Sequence, residues 1–501
     1  MSILKSLPNL NVLPHSVVVA ADGESELGLV RFGAELKLAI LAKRADSPAF
    51  DGFEGERSTR TGYTLLLGPT SARNAHGLRN HLPWLKPRPL GLQTSVGMGD
   101  RLGLATPGHV RAVRAVGGKV EPIFCQQSIR EMTRTRRTPQ QVMDDATWGM
   151  FQEGWRGGAG ADADHLKTTE DIDSCLAAGF TFFTIDPGEH VDNSAESASP
   201  SELLEKLGSL PWKLLDDKPS WLTSRYVGPS FDVEEHTITF DEHTLVKAAV
   251  KYGQAVAHVA EMYRHLIKAT NGWNCELEVS VDETEQPTSP TEHLYIAKEL
   301  RRLGVHWVSL APRYVGRFEK GVDYIGNLAK FEASFAVHAA IARELGPYKL
   351  SLHSGSDKFS VYPIALRQTH GLVHLKTAGT SYLEALHTIA QIDPAFFRSI
   401  YVFARERYET DKVSYHVSAE LARAPEPRDV QDKDLPRLLD QFDAREIFHV
   451  TFGSVLTMRG TDGRLRFYDQ FMEFLRRNPE AYAANLEAHF VKHLKPFVSL
   501  P

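Results

Sequence analysis

Short apolar runs alternate with amphipathic stretches from about residue 90 onward, and this alternation limits the fold more than any other feature of the chain. Such alternation of strands and helices gives a parallel sheet. About eight units over some 380 residues fit a closed (β/α)8 barrel of the TIM type better than the alternative, an open doubly wound sheet. The predicted strands are 90–95, 120–126, 180–186, 274–281, 306–311, 348–354, 372–377 and 447–452.

The remaining segments are arranged around this predicted barrel. Residues 1–85 are interpreted as a small α/β N-terminal appendage, because three strand-like runs lie between polar turns there. The barrel domain would occupy 86–501, with an insert at about 192–242 after the third predicted strand. A connection of that length is usually functional or separately folded. Two C-terminal helices, 465–477 and 479–495, are expected to cover the bottom or side of the barrel.

Charge and cysteine content exclude several classes of function. The net charge of -6 does not favour nucleic acid, which usually requires a basic patch. The N-terminus lacks the pattern of a signal peptide, and no apolar stretch is long enough for a membrane span. The three cysteines are widely spaced, which is typical of reduced thiols. We therefore expect a cytoplasmic protein without nucleic-acid or membrane partners; whether it forms a homo-oligomer is left open.

Polar side chains recur where the predicted strands end, which is where barrel enzymes place their chemistry. The strand from residue 274 carries Glu276, Glu278, Ser280 and Asp282 at every second position, so all four should face the same way. If that face is the barrel interior, several carboxylates share one cavity and require a cation. The alternative is that Glu276 or Glu278 faces a helix and pairs with a lysine.

Three histidines in similar positions predict a metal site. His353 and His374 lie at predicted strand ends, and His165 follows Asp164 in a small-residue loop, 158–168. Imidazole together with carboxylate suits Zn, Mn, Ni, Co or Fe. The alternative for each histidine is a satisfied hydrogen-bond partner. His374 enters this ligand set only through its strand-end position.

Cationic side chains near the same strand ends predict a small anionic substrate. Lys376 is the first candidate for a buried cation, and Arg313 also follows a strand. Arginine binds carboxylate through two hydrogen bonds. Lys167 and Asp282 complete the predicted substrate-binding set. Neither a dinucleotide fingerprint nor a Walker A motif is found, so a nicotinamide or ATP requirement is unsupported.

Five blocks in the right order resemble the tagaturonate/fructuronate epimerase family of hexuronate catabolism, over about residue 60 to the C-terminus. The blocks are 160–168 (GADADHLKT), 278–284 (EVSVDET), 308–313 (VSLAPR), 351–359 (SLHSGSDKF) and 374–380 (HLKTAGT). The resemblance implies an isomerase that interconverts D-tagaturonate and D-fructuronate with a divalent metal cation. It further implies that Asp164 is the proton acceptor and Glu278 the proton donor. His165 and His353 would be metal ligands.

The chemistry of these two keto-acids limits the mechanism. They differ at a carbinol carbon β to the ketone, which enolisation cannot invert. Retro-aldol cleavage followed by re-addition could invert it, and so could transient oxidation with a nicotinamide; the missing fingerprint favours the first. The main alternative function is a metal-dependent aldolase or a ketose or sugar-acid isomerase on the same barrel. A non-enzymatic sugar-acid binding protein is the second alternative.

Overall fold

The computed structural model describes residues 2–60, 62–117, 120–272 and 274–498. It consists of an N-terminal antiparallel sheet, a closed parallel barrel and a short antiparallel hairpin. No helix among the described residues is both long and apolar enough to cross a membrane. The strands are β1 (Val18–Val19), β2 (Glu26–Phe32), β3 (Glu35–Ala42), β4 (Glu56–Arg60), β5 (Tyr63–Pro69), β6 (Ser95–Gly97), β7 (Glu121–Ser128), β8 (Gly160–Leu166), β9 (Phe182–Ile185), β10 (Ser230–Val233), β11 (His236–Thr239), β12 (Glu276–Ser280), β13 (Ser309–Ala311), β14 (Lys349–Leu352) and β15 (Val373–Lys376).

Eight parallel strands close the barrel in the order β12-β13-β14-β15-β6-β7-β8-β9, and β9 pairs with β12 to complete it. The predicted (β/α) barrel is therefore confirmed. Apart from the hairpin β10–β11, each barrel strand runs to the next through helices, as the alternation of patterns indicated. The helices are α1 (Ala72–His81), α2 (Thr106–Val116), α3 (Ile129–Thr135), α4 (Pro139–Gln152), α5 (Thr169–Ala178), α6 (Pro200–Gly208), α7 (Pro219–Tyr226), α8 (Glu242–Thr270), α9 (Pro290–Arg302), α10 (Leu328–Glu344), α11 (Tyr362–Thr369), α12 (Thr380–Ile392), α13 (Pro394–Asp411), α14 (Phe442–Val450), α15 (Phe452–Thr457), α16 (Tyr468–Arg477) and α17 (Pro479–Val498).

Two predicted strands and one predicted loop need correction. Residues 447–452 form the end of helix α14 and the start of helix α15, not a strand. This prediction was wrong because a short apolar run cannot be distinguished from a buried helix by its pattern alone. The first barrel strand begins at Ser95 rather than at residue 90. The segment predicted as a small-residue loop contains β8, so the insert follows the fourth barrel strand, β9, and not the third.

The additions to the barrel have their own structure. The appendage is a five-stranded antiparallel sheet in the order β1-β2-β3-β5-β4, followed by α1, which packs against α4 of the barrel. The insert contains α6, α7 and the hairpin β10–β11. The two predicted C-terminal helices are α16 and α17, and α17 packs along α2, α11 and α12 on the side of the barrel. Cys125, Cys175 and Cys275 are free thiols.

Candidate active site

Strand β12 directs a line of polar side chains into the barrel. Glu276, Glu278 and Ser280 are buried, and Glu278 and Ser280 have no exposed surface. Glu276 lies at the lower end, where its carboxylate accepts hydrogen bonds from the backbone N–H groups of Leu90 and Gly91. Asp282 follows the strand at the upper end. The period of two therefore places these residues inside the barrel, as the first of the two sequence interpretations expected.

A bulge in β8 turns two neighbouring side chains toward the mouth of the barrel. By alternation, Asp162 and Asp164 face inward and His165 would face outward. The pairing register between β8 and β9 shifts between Ala163 and Leu166, and His165 has a left-handed φ of 56°. This irregularity brings the His165 imidazole to 2.8 Å from Asp164, measured from Nδ1 to Oδ1.

Lys376 on β15 is the centre of the buried cluster. Its Nζ lies 2.7 Å from Asp164 Oδ1, 2.8 Å from Glu278 Oε1 and 3.0 Å from Asp162 Oδ2. It also donates to the Thr184 hydroxyl at 2.6 Å. Burial alone would lower the pKa of Lys376, but these carboxylates raise it above its usual value. Four oxygens surround three ammonium protons, so the Lys376 ammonium is already committed within the protein and does not fit its predicted role as the anchor of a substrate carboxylate.

Two histidines share one further carboxylate at the mouth. His353 follows β14, and its Nε2 lies 2.7 Å from Glu278 Oε1. Asp282 Oδ1 lies 3.3 Å from the other ring nitrogen of His353 and 3.6 Å from His165 Nε2. The two imidazole rings have centroids 5.0 Å apart. Each histidine therefore has one nitrogen toward Asp282 and the other toward a second carboxylate, Glu278 or Asp164.

The charges in this cluster hold one another in their ionised forms. Burial would lower the pKa of His353, but Asp282 and Glu278 raise it to about 9. Burial would also lower the pKa of His165, but Asp164 raises it well above its ordinary value. Burial would raise the pKa of Asp164 and of Glu278, yet His165 and Lys376 keep that of Asp164, and Lys376 and His353 that of Glu278, well below the usual range. Both are carboxylates at neutral pH.

The donor set at the mouth fits a divalent cation. Ligand atoms of Asp164, His165 and His353 all lie within 4.8 Å of one another. Asp282 offers a further oxygen beside the same two imidazoles. Oε2 of Glu278 is buried without a hydrogen-bond partner. Nitrogen and carboxylate ligands suit Zn, Mn, Fe, Co or Ni.

His374 does not join this group. Its Nδ1 is hydrogen-bonded to the Ser95 hydroxyl at 2.9 Å, and Lys349 donates to the same hydroxyl at 3.0 Å. Its other nitrogen faces Asp162 Oδ2 at 3.7 Å and has no hydrogen-bond partner. His374 is fully buried next to the Lys376 cluster and is not one of the residues whose ligand atoms converge at the mouth.

A cavity of about 410 Å³ opens above the cluster. It is lined by His353 and Asp282 on the barrel side and by Arg130, Arg313 and Lys320 among its cations. The predicted Arg313 is thus beside the cluster. The predicted Lys167 is on the surface, where it pairs with Glu189 at 2.7 Å. The structure brings together His165, His353, Glu278, Asp164, Asp282 and Lys376.

Sequence reasoning missed several members of the site. Asp162 and Thr184 contact Lys376, and recognising β8 as a strand would have put Asp162 on the same face as Asp164. Glu283 lies 3.8 Å from His165 and pairs with Arg130. Lys320 lies in the loop between β13 and α10, where no periodic pattern could indicate it.

Comparisons with known proteins agree over nearly the whole chain. The family model for tagaturonate epimerase (UxaE) matches residues 18–497. A tagaturonate/fructuronate epimerase of Thermotoga maritima is 44% identical over 460 residues, which cover 92% of each chain. The crystal structure of the fructuronate-tagaturonate epimerase UxaE from Cohnella laeviribosi with one glycerol has a TM-score of 0.91 and 38% identity, covering 99% of this chain and 97% of that chain. Its native form gives the same score and identity over 98% of that chain.

Proposed function

The chain belongs to the tagaturonate epimerase family, and we propose that it interconverts D-tagaturonate and D-fructuronate. The observation that carries this proposal is the convergence of Asp164, Glu278, His165 and His353 at the barrel mouth, in a chain that is 44% identical to a tagaturonate/fructuronate epimerase. The cationic lining of the cavity suits an anionic sugar acid. Three free thiols agree with the proposed cytoplasmic location, where glutathione keeps cysteines reduced.

A divalent cation held by His165, His353 and Asp282 would polarise the substrate ketone and stabilise the negative charge that develops on it. With these three residues as ligands, His165 Nδ1 still donates to Asp164, and His353 Nε2 still donates to Glu278. A carboxylate on the second ring nitrogen fixes the orientation of a ligating histidine. The two catalytic carboxylates would therefore be positioned by the two ligand histidines.

Asp164 and Glu278 perform the proton transfers in this proposal. Asp164, ionised at neutral pH, accepts the proton of the C4 hydroxyl while the bond between C3 and C4 opens. The three-carbon aldehyde turns its other face to the enediolate and adds back. Glu278 then returns a proton to the C4 oxygen on that side. Lys376 contacts both carboxylates at 2.7 and 2.8 Å, so it connects them for the return of the proton.

The retro-aldol route is preferred for a chemical reason. The C4 hydrogen is β to the ketone and is not acidified by it, whereas the C4 hydroxyl is placed for aldol cleavage. An aldolase that releases both fragments would use the same groups, and a ketose isomerase would move the carbonyl instead. The products distinguish the three activities: epimer, two three-carbon compounds, or an aldose.

The test is incubation of the protein with D-tagaturonate and Mn²⁺, Zn²⁺, Ni²⁺ or Co²⁺, followed by chromatography for D-fructuronate. We expect conversion, a loss of conversion with EDTA, and a fall in kcat of about 10²- to 10⁴-fold in Asp164→Asn. Asp173→Asn is the matched control, because Asp173 is exposed and pairs with His265 on the surface. Absence of D-fructuronate with all four metals would overturn the proposal.

A further inference from the structure

Two of the four lysine and arginine side chains lining the cavity already have partners. Arg130 pairs with Glu283 at 2.6 Å, and Arg317 lies 3.5 Å from Glu319. Lys320 is different: within the described parts of the chain its ammonium has no hydrogen bond and no ion pair. The side chain of Arg313 has no such partner among these residues either, and its Nε is buried without one. A partly buried cation without a partner is costly unless a ligand supplies the anion.

The turn that carries Lys320 is fixed from both sides. The buried Lys358 ammonium donates to the backbone carbonyls of Glu319, at 2.6 Å, and of Val322. The Arg445 guanidinium donates to the carbonyl of Gly321. The backbone before and after Lys320 is therefore held by residues outside the turn. This preorganises the position of its Cα at the cavity and lowers the entropy lost on binding a ligand.

The positive charge of Lys320 is also costly in the free protein. Burial, and then the nearby Arg130, lower the pKa of Lys320, while Glu283, Asp282 and Glu131 oppose that effect. Lys320 lines both the outer cavity and the smaller space beside Asp164, His165 and His353. It thus lies between the reacting groups and the cavity that a substrate must enter.

We propose that Lys320, together with Arg313, binds the carboxylate of the keto-uronate and retains the aldehyde fragment during epimerisation. This inference rests on the proposed function and adds a residue that holds the substrate. Arginine supplies a planar pair of donors and lysine a point charge, a combination that suits one carboxylate. Lys376 does not take this role, since its protons are bonded to protein oxygens.

The anchor matters because of where the carboxylate lies in the substrate. When the C4 hydroxyl loses its proton, the C3–C4 bond breaks and its electron pair forms the enediolate of the C1–C3 fragment. The C4–C6 fragment becomes 2-hydroxy-3-oxopropanoate, which carries the carboxylate. Rotation about C4–C5 presents the other aldehyde face, the enediolate attacks it, and the C4 oxygen regains a proton. Held by its carboxylate, the fragment can turn without leaving.

The test compares wild type, Lys320→Met and Lys320→Arg with Mn²⁺ present. We expect Lys320→Met to raise KM for D-tagaturonate about 10- to 100-fold, because a charge-assisted hydrogen bond is lost. We also expect it to release dihydroxyacetone and 2-hydroxy-3-oxopropanoate, detected by mass spectrometry after trapping with a hydrazine. Lys320→Arg should restore KM to within about threefold and suppress the release, since it keeps the charge.

Lys330→Met is the matched control, because Lys330 is exposed at the start of α10. If wild type forms no D-fructuronate, the proposed function fails. If wild type converts but Lys320→Met keeps its KM and releases no fragments, only the anchor is excluded. Circular dichroism verifies folding, and Lys320→Gln, which keeps a donor without the charge, replaces the methionine variant should that one unfold.

Discussion

Two buried groups in this protein contain the same residue types, one aspartate and two histidines, but they differ in how their bonding capacity is used. One is Asp164, His165 and His353 at the barrel mouth; the other, here called the tail cluster, is Asp357, His489 and His493. In both, the ligand atoms lie within 4.8 Å of one another. Spacing of donors alone therefore does not separate a metal centre from a structural ion pair.

In the tail cluster every donor has a fixed partner. His489 lies between Asp357, at 2.6 Å, and Glu384, at 2.9 Å. His493 Nε2 accepts the backbone N–H of Asp357 at 2.9 Å, and the second Asp357 oxygen receives Arg445 at 2.9 Å. These bonds tie α17 to the loop after β14. That loop follows His353 and carries Lys358, so the tail cluster supports the candidate active site without forming part of it.

At the barrel mouth the hydrogen bonds and ion pairs join ionisable side chains to one another, and some hydrogen-bonding capacity stays unused. Oε2 of Glu278 is buried without a partner, whereas both carboxylate oxygens of Asp357 in the tail cluster have one; a cavity adjoins each group. A ligand can enter and reorganise such a group, whereas entry into the tail cluster would break bonds to backbone. The comparison indicates that an unpaired buried ligand atom, and not residue type, donor spacing or an adjoining cavity, separates the candidate active site from the structural group.

The largest expected difference is in activity and bound metal. His353→Ala removes a proposed ligand and the hydrogen bond to Glu278, so we expect kcat/KM to fall about 10³-fold or more and bound metal to be lost. Elemental analysis after dialysis and the D-tagaturonate assay measure both. His489→Gln is the matched control and should keep its metal. Equal metal loss in the two variants would show that the groups do not differ as described.

The second difference is in stability. Arg445→Met leaves Asp357 buried with only His489 and frees the carbonyls of Gly321 and Leu439. Breaking such a buried pair costs about 3–5 kcal/mol of unfolding free energy. Denaturation in urea measures it, with Arg428→Met as the control, because Arg428 is exposed and should change stability by less than about 0.5 kcal/mol. A loss no larger than in the control would contradict the structural role of the tail cluster.

The sequence predicts these two groups unequally, for physical reasons. The alternation that defines the barrel is periodic, so the inward face of β12 and the site of Glu278 followed from it. Strand β8 is rich in Gly, Ala and Asp, so its composition does not indicate a strand. Only the bulge at His165 explains why the adjacent residues Asp164 and His165 both face the site. Lys320 and His489 have no local signal, because their roles depend on Lys358, Arg445 and Asp357, which are distant in sequence.

The smallest expected difference is in the dependence of stability on pH. Burial would lower the pKa of His489, but Asp357 and Glu384 on its two nitrogens raise it to about 9, from an ordinary value of 6.5. A histidine whose pKa is raised by folding stabilises fully below its unfolded pKa and loses that contribution as pH rises through the folded value. The contribution of His489 to the unfolding free energy should therefore be lost between pH 6.5 and about 9, and it amounts to on the order of 3 kcal/mol at most.

The measurement is made with Mn²⁺ present, because its proposed ligands His165 and His353 would otherwise add a similar dependence through their own raised pKa values. Buried groups that titrate in the same window, such as Lys358 with a pKa lowered by burial to about 8, are present in both wild type and His489→Gln, so the difference between the two proteins isolates His489. Of the charges facing His489, Glu384 has a pKa of about 2, because its histidine neighbours outweigh burial, and burial lowers the pKa of His493 to about 4. His489→Gln should be less stable than wild type at pH 6 and show a flatter profile up to pH 9. The same slope of unfolding free energy against pH in both proteins would mean that the imidazolium of His489 does not stabilise the fold. The tail cluster would then not differ from the group at the barrel mouth by a structural role of its charges.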